Sequence, residues 1–126
     1  MAELNHTIVN AKDRWASARF LTEVLGLPEP KEWAHFVIVD LGNGVSLDFA
    51  DASGEITPQH YAFLVSEEEF DHGYGLIVER DLDHWADPRQ QGVRQINHHD
   101  GGRGVYFLDP SGHFLELITR PYGAGG

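Results

Sequence analysis

Apolar and polar positions along the chain predict short strands and helices in a fixed order. Residues 4–9 alternate between apolar and polar, as a strand with one buried face does. An amphipathic helical stripe then continues to about Leu25, and Gly26 with the prolines beyond it predicts the helix end. Two runs rich in strand-forming residues, over 35–41 and 45–50, predict a pair of strands joined by a glycine-rich turn.

The same order returns in the second part of the chain. Residues 59–65 alternate, and Ser66 opens a Ser-x-x-Glu capping box ahead of a second helical stripe. A short edge strand is predicted within 82–86, and a long polar loop follows over 87–102. Two apolar runs then flank the turn-forming residues 109–112, which predicts a closing β-hairpin.

This repeat predicts a single domain, 1–126, built from two modules over about 1–52 and 58–122. Its period is 54 residues, measured from His6 to His60 in the first strand of each module. In each module one strand face is apolar and can pack on the helix, whereas the other face carries histidine or carboxylate. Sheets of this kind can curl into half-barrels, so we predict an α+β fold that encloses a cavity.

The composition indicates which kinds of partner the protein can bind and in which cellular compartment we expect it. Nine basic and twenty acidic residues give a net charge of −11, which argues against a nucleic-acid partner. The chain has no cysteine, which excludes disulfides and thiolate metal sites. No apolar run approaches the roughly 20 residues of a membrane span, and the first residues lack the pattern of a signal peptide. We therefore expect a soluble, cytoplasmic protein with neither nucleic-acid nor membrane partners.

Four residues on the polar strand faces are the candidates for a functional site. His6 and His60 lie in the first strands of the two modules, and Asp48 and Glu116 lie in the last strands. Taken singly, a strand histidine is more often structural, and Glu116 alone would suit an exposed sheet face. The symmetric placement of all four residues favours a metal-binding site, because two imidazoles with carboxylates suit a divalent ion such as Zn, Ni, Mn, Fe or Co.

A second group of polar residues lies on the long loop and next to it. His98, His99 and Asp100 are predicted to lie near the cavity mouth, where His99 and Asp100 could contact a substrate. The segment Asp87 to Gly102 is predicted to be a mobile lid that hinges at its two terminal glycines and is anchored by Arg103. The remaining histidines outside the loop are interpreted as structural or surface residues: His35, His72, His84 and His113, the last within the hairpin turn.

Four stretches carry a resemblance to a known family: LNHTIVNAKD, FLTEVLGL, QHYAFLVS and GVYFLDPSGHFLELITRP. With them the chain resembles the vicinal oxygen chelate superfamily, which includes glyoxalase I, extradiol dioxygenases, and fosfomycin and bleomycin resistance proteins. The resemblance implies paired βαβββ modules and a divalent metal held by His6, His60 and Glu116. It also implies a substrate-contacting role for Tyr106. We expect a homodimer, in which His6 and His60 of one site can come from different chains.

The favoured function is a metal-dependent lyase or isomerase, glyoxalase-like, acting on a small molecule with neighbouring oxygens. Asp48 or Glu116 would move the proton, and Asp48 is also a possible fourth ligand. Tyr106 and Arg103 would orient the substrate. Two alternatives stay open: a ring-cleaving Fe(II) or Mn(II) dioxygenase, and a non-catalytic protein that binds an antibiotic.

Overall fold

The computed structural model describes residues 1–124, which form two four-stranded sheets and two helices. The elements follow in the order β1 (His6–Ala11), α1 (Arg14–Leu25), β2 (Lys31–Trp33), β3 (Phe36–Asp40), β4 (Ser46–Asp51), β5 (His60–Leu64), α2 (Glu67–Glu79), β6 (His84–Trp85), β7 (Gly104–Leu108) and β8 (Phe114–Ile118). One 3₁₀ turn, His99–Gly101, precedes β7. The predicted α+β class and its repeated order are confirmed.

The two sheets have the same topology. Their strand orders are β1-β4-β3-β2 and β5-β8-β7-β6. In each sheet the first strand pairs in parallel with the last, and the other neighbours are antiparallel. Strand β2 was not predicted, because its three residues are all exposed and offer no alternation to detect. A helix and two strands make up the long connection that each parallel pair requires.

Local sequence signals begin and end the helices. Asp13 caps α1 by accepting hydrogen bonds from the N–H groups of Trp15 and Ala16. Gly26 ends α1 in the left-handed conformation, at φ 67°. The predicted capping box of α2 is present: Ser66 Oγ accepts from the Glu69 N–H, and Glu69 Oε1 accepts from the Ser66 N–H. Neither helix is long and apolar enough to cross a membrane.

The helices bring the two modules together by packing on each other at a glycine. A Cβ added at Gly73 of α2 would lie 2.9 Å from the backbone carbonyl oxygen of Val24 in α1 and 2.9 Å from Leu117 Cδ1 in β8. Only a residue without a side chain allows this approach. One apolar core then runs through both modules, with fully buried members that include Leu21, Val37, Phe70, Ile77, Val105, Phe107 and Leu117.

The hairpin turn after β7 is the second connection between the modules. His113 is 1 % exposed, and its Nδ1 accepts a hydrogen bond from the Gln59 N–H at 2.9 Å. Its Nε2 lies 2.7 Å from the carbonyl oxygen of Asn10 in β1. Because a carbonyl can only accept, Nε2 carries the proton and the ring is the neutral Nε2–H tautomer. The histidine therefore joins module two to the first strand of module one.

A buried serine in the same turn adds to this connection. The Asp109 carboxylate accepts from the N–H groups of Ser111 and His113 and so fixes the turn. Ser111 Oγ then accepts from the Lys12 N–H at 2.9 Å and bonds the Ser17 hydroxyl at 2.9 Å. The turn is thereby held against the segment between β1 and α1.

Candidate metal centre

Strand register places the two histidines and the two carboxylates at equivalent positions in the two sheets. In module one His6 pairs with the residue two positions before Asp48, and in module two His60 pairs with the residue two positions before Glu116. Because side chains alternate along a strand, each histidine and carboxylate share one face. That face is the one turned away from the helix, as the alternation predicted.

The pair His60 and Glu116 is the centre of the site in module two. Glu116 Oε1 lies 3.0 Å from His60 Nε2. Glu116 is only 1 % exposed, whereas the His60 side chain is 47 % exposed. The exposed sheet face suggested for Glu116 taken alone is therefore wrong. Neighbouring polar groups cover the carboxylate and supply the hydrogen bonds without which its burial would be costly.

Two tyrosine hydroxyls complete this cluster. Tyr106 pairs directly with Glu116 across β7 and β8. Tyr122, six residues beyond Glu116, donates a hydrogen bond to Glu116 Oε2 at 2.5 Å, and its hydroxyl lies 3.2 Å from that of Tyr106. Sequence reasoning missed Tyr122. Its only signal was a tyrosine between Pro121 and Gly123, two residues that favour a turn.

Both hydroxyls are held in their protonated form. Burial, reinforced by hydrogen bonds with Tyr122 and Glu116, raises the pKa of Tyr106 well above its usual value. Burial and the hydrogen bond to Glu116 likewise raise the pKa of Tyr122, and the nearby Asp100 charge adds to that effect. Each tyrosine is therefore a hydrogen-bond donor at neutral pH.

The two ligand candidates of module one lie apart from this cluster. His6 is exposed, and its Nδ1 lies 2.7 Å from the side-chain oxygen of Asn5. Asp48 accepts a hydrogen bond from the Ser46 hydroxyl at 2.9 Å. Within residues 1–124, no group of three or more His, Cys, Asp or Glu side chains is arranged to hold a metal ion. A single chain thus brings together His60 and Glu116, without His6 or Asp48.

Arg103 is engaged by helix α2. Its Nε donates to Glu67 at 2.7 Å, its Nη2 lies 2.8 Å from Asp71, and its guanidinium lies 4.4 Å from the centre of the Phe70 ring. These contacts anchor the end of the long loop, where the sequence had placed an anchor. They commit the guanidinium to α2 rather than to Glu116 and the two tyrosines.

The loop that carries His99 and Asp100 is tied down at several points. Bridges pair Val93 with Trp85 of β6 and Asn97 with Gly104 of β7. Added Cβ atoms at the two glycines of the predicted hinge would lie 2.8 Å from Arg120 and 2.5 Å from Thr119. This packing argues against a free hinge. The lid remains a prediction, and His99 lies exposed in the 3₁₀ turn.

The His60–Glu116 pair fits two neighbouring positions around a divalent ion. Ligand atoms about 2.1 Å from an ion and at right angles to each other are roughly 3.0 Å apart. His60 Nε2 and Glu116 Oε1 lie 3.0 Å apart, within direct hydrogen-bond distance, so an ion could take the place of that bond with little movement of either side chain. An imidazole nitrogen with a carboxylate oxygen suits Zn, Mn, Fe, Co or Ni. The pair leaves further positions for other protein ligands, water or substrate.

Comparison with known proteins gives one family and several relatives. The family model described as Glyoxalase/Bleomycin resistance protein/Dioxygenase superfamily matches residues 3–117. Glutathione transferase FosA of Serratia marcescens is 30% identical over 93% of this chain and 80% of its own length. Metallothiol transferase FosB of Lysinibacillus sphaericus (strain C3-41) is 29% identical over 92% and 81%. The structure of oxidase ChaP-H1 is 59% identical over 98% of this chain and 99% of its own, with a TM-score of 0.95.

Proposed function

The chain belongs to the glyoxalase/bleomycin resistance protein/dioxygenase superfamily, and from that premise we propose that it is a metal-dependent enzyme that oxidises a small organic molecule. The relatives described above are enzymes by name: two transferases and an oxidase. The observation that carries the oxidative assignment is the 59% identity with oxidase ChaP-H1 over 98% of the chain. Identity with the transferase FosA is about half of that, at 30%.

We propose that His60 Nε2 and Glu116 Oε1 hold a divalent ion together with His6 of a second copy of the chain. His6 occupies in module one the register position that His60 occupies in module two, and it is exposed there. Because the fold of one chain does not bring His6 to Glu116, a homodimer is the simplest way to complete the set of three metal ligands. A bound divalent ion would supply Lewis-acid polarisation of two neighbouring substrate oxygens.

The chain's own side chains would orient the substrate and move protons. Because Tyr122 donates its proton to Glu116, Tyr106 donates to the Tyr122 hydroxyl in the structure, and it would contact a substrate oxygen by turning that donor to it. Asp48 holds in module one the position of Glu116 and can act as a general base if the second module of a partner faces it. Asp100, close enough to Tyr122 to raise its pKa, and the exposed His99 beside it are proposed substrate contacts next to Tyr122.

A lyase or isomerase is the second candidate, because it needs a proton acceptor and no oxidant. The observation in its favour is the pair of carboxylates, Asp48 and Glu116, at equivalent positions of the two sheets. Either residue could remove a proton next to a substrate carbonyl. A non-catalytic antibiotic-binding protein would bind its ligand at the same residues without turnover.

The metal site is tested by metal analysis of the purified protein and three variants. We expect His60→Ala and His6→Ala each to lose most of the bound ion, whereas His98→Ala, a change at an exposed loop histidine, keeps it. Coexpression of His6→Ala with His60→Ala then tests whether the ligands come from two chains. Mixed dimers would contain one intact and one doubly altered site, so they should regain about half of the wild-type metal. No regain in isolated mixed dimers would contradict shared sites.

The reaction class is tested by oxygen uptake. The protein loaded with Fe(II) or Mn(II) would be mixed with a panel of aromatic vicinal diols and α-hydroxyketones, in air and without oxygen. The oxidative proposal expects product only in air, with oxygen consumed in proportion to product. Equal conversion without oxygen would instead establish the lyase or isomerase, and saturable binding without conversion across the panel would favour a binding protein. His60→Ala serves as the control for metal-independent chemistry.

A further inference from the structure

The chain beyond β8 turns back over the open sheet face and carries Tyr122 at the corner of the turn. The Ala124 N–H donates to the Pro121 carbonyl at 3.1 Å, which closes a four-residue β-turn. Gly123 has φ 81°, the left-handed conformation that the third residue of a type II turn requires. Tyr122 is the second residue of this turn, so the turn sets the direction in which its side chain leaves the backbone.

Contacts on both sides hold this turn independently of the tyrosine hydroxyl. Arg120 Nη2 donates to the Ala124 carbonyl at 2.9 Å, and Nη1 packs closely on Gly101 of the 3₁₀ turn. Before the turn, Thr119 and Arg103 bond each other twice: the Arg103 N–H donates to Thr119 Oγ1 at 2.8 Å, and the Thr119 N–H donates to the Arg103 carbonyl at 3.0 Å. The tail is thus docked as a unit beside Glu116.

The two oxygens of Glu116 have different partners as a result. Oε2 accepts from Tyr122, and Oε1 faces His60 Nε2. A donor on one carboxylate oxygen fixes the plane of the group and leaves the other oxygen as a single, directed ligand atom. Partners of this kind, one step removed from a metal, set ligand orientation and contribute strongly to affinity.

We propose that Tyr122 is a positioning residue: held by the C-terminal turn, its hydroxyl binds Glu116 Oε2 so that Oε1 alone is presented, beside His60 Nε2, to a divalent ion. This inference rests on the metal site proposed above and adds a residue and a segment to it. The tail after β8 then belongs to the site, and its turn geometry controls how firmly the ion is held.

The test measures the dissociation constant for Mn(II) on the full chain by calorimetry, with Tyr122→Phe as the main variant. Tyr122→Phe keeps the ring and removes only the donor, and we expect it to weaken Mn(II) binding about ten- to a hundredfold. Gly123→Ala places a Cβ in open space but strains the left-handed backbone, so it should weaken binding by a smaller factor. Tyr74→Phe, a hydroxyl deletion on helix α2, should leave the constant within twofold.

A second readout separates positioning from a general loss of structure. The absorption spectrum of bound Co(II) reports the ligand set, and it should shift in Tyr122→Phe because Glu116 becomes free to bind through both oxygens. Thermal unfolding in chelator should stay a single cooperative transition for all four proteins, with a midpoint lowered by only a few degrees in Tyr122→Phe and Gly123→Ala. Mn(II) binding by Tyr122→Phe that is as tight as wild type or tighter, with an unshifted Co(II) spectrum, would overturn the role of Tyr122 alone. A wild-type protein that binds neither ion would overturn the proposed metal site as well.

Discussion

Replacement of His113 should loosen the two modules from each other. The imidazole is 1 % exposed and makes two hydrogen bonds, one with the Gln59 N–H and one with the Asn10 carbonyl, 103 residues away. His113→Phe keeps a ring of similar size and removes both bonds. Each bond contributes about 1 kcal/mol net, so the free energy of unfolding should fall by about 2 kcal/mol. His113→Ala also loses the packing of the ring and should cost about 3–4 kcal/mol.

Two further substitutions separate the two bonds. Asparagine places its amide near the position of ring Nδ1 and can accept from the Gln59 N–H. Glutamine reaches nearer to Nε2 and can donate to the Asn10 carbonyl. We expect His113→Asn and His113→Gln each to recover about 1 kcal/mol relative to His113→Phe, because each restores one bond.

Urea unfolding followed by circular dichroism measures these differences. With a slope of about 2 kcal/mol per M, the midpoint of His113→Phe should fall by about 1 M. One protein concentration is used throughout, since a dimer would make the midpoint depend on concentration. His98→Ala, an exposed histidine, is the control. A midpoint of His113→Phe equal to wild type would refute the connecting role.

Three other predictions follow from the packing and charges. Gly73→Ala should destabilise the protein by about 1–3 kcal/mol in urea unfolding, because its Cβ would lie 2.9 Å from the Val24 carbonyl oxygen. Gly75→Ala, with open space around it, is the control and should stabilise the protein by up to about 1 kcal/mol. Equal effects of the two substitutions would contradict the close approach of the helices at Gly73. Arg103→Ala should lower the free energy of unfolding by about 1 kcal/mol and leave the Mn(II) affinity within twofold. Arg19→Ala, which removes a more exposed ion pair, is the control and should change the stability less. In chelator, Tyr106, Tyr122 and Tyr61, whose pKa burial also raises, should ionise above the ordinary value in the native protein and near it in urea. Folding favours the neutral tyrosines, so their contribution to stability is complete below about pH 10 and is lost as the pH rises through the native pKa values. Superimposable tyrosine titrations in buffer and in urea would show that folding does not raise these pKa values.

Local patterns in the sequence determined both helices, every strand except β2, and the face of the sheet to which the strand side chains point. The alternation in 4–9 and 59–65 predicted which side of each sheet meets the helix, because side chains along a strand point to opposite faces in turn. The capping box at Ser66 and the left-handed helix end at Gly26 were also predicted from the sequence, since each depends on residues within one helical turn. The same alternation placed His6, His60, Asp48 and Glu116 on the open faces.

Only the tertiary structure decided which of those residues meet. Parity assigns a side chain to a face but gives neither the pairing of strands nor the distance between sheets, so it could not show that His60 reaches Glu116 while His6 does not. Tyr122 joins Glu116 through a turn beyond the last strand, Arg103 pairs with carboxylates of α2, and His113 bonds β1. Each of these contacts depends on how complete elements pack together, and packing is fixed by the joint burial of many side chains rather than by any local pattern.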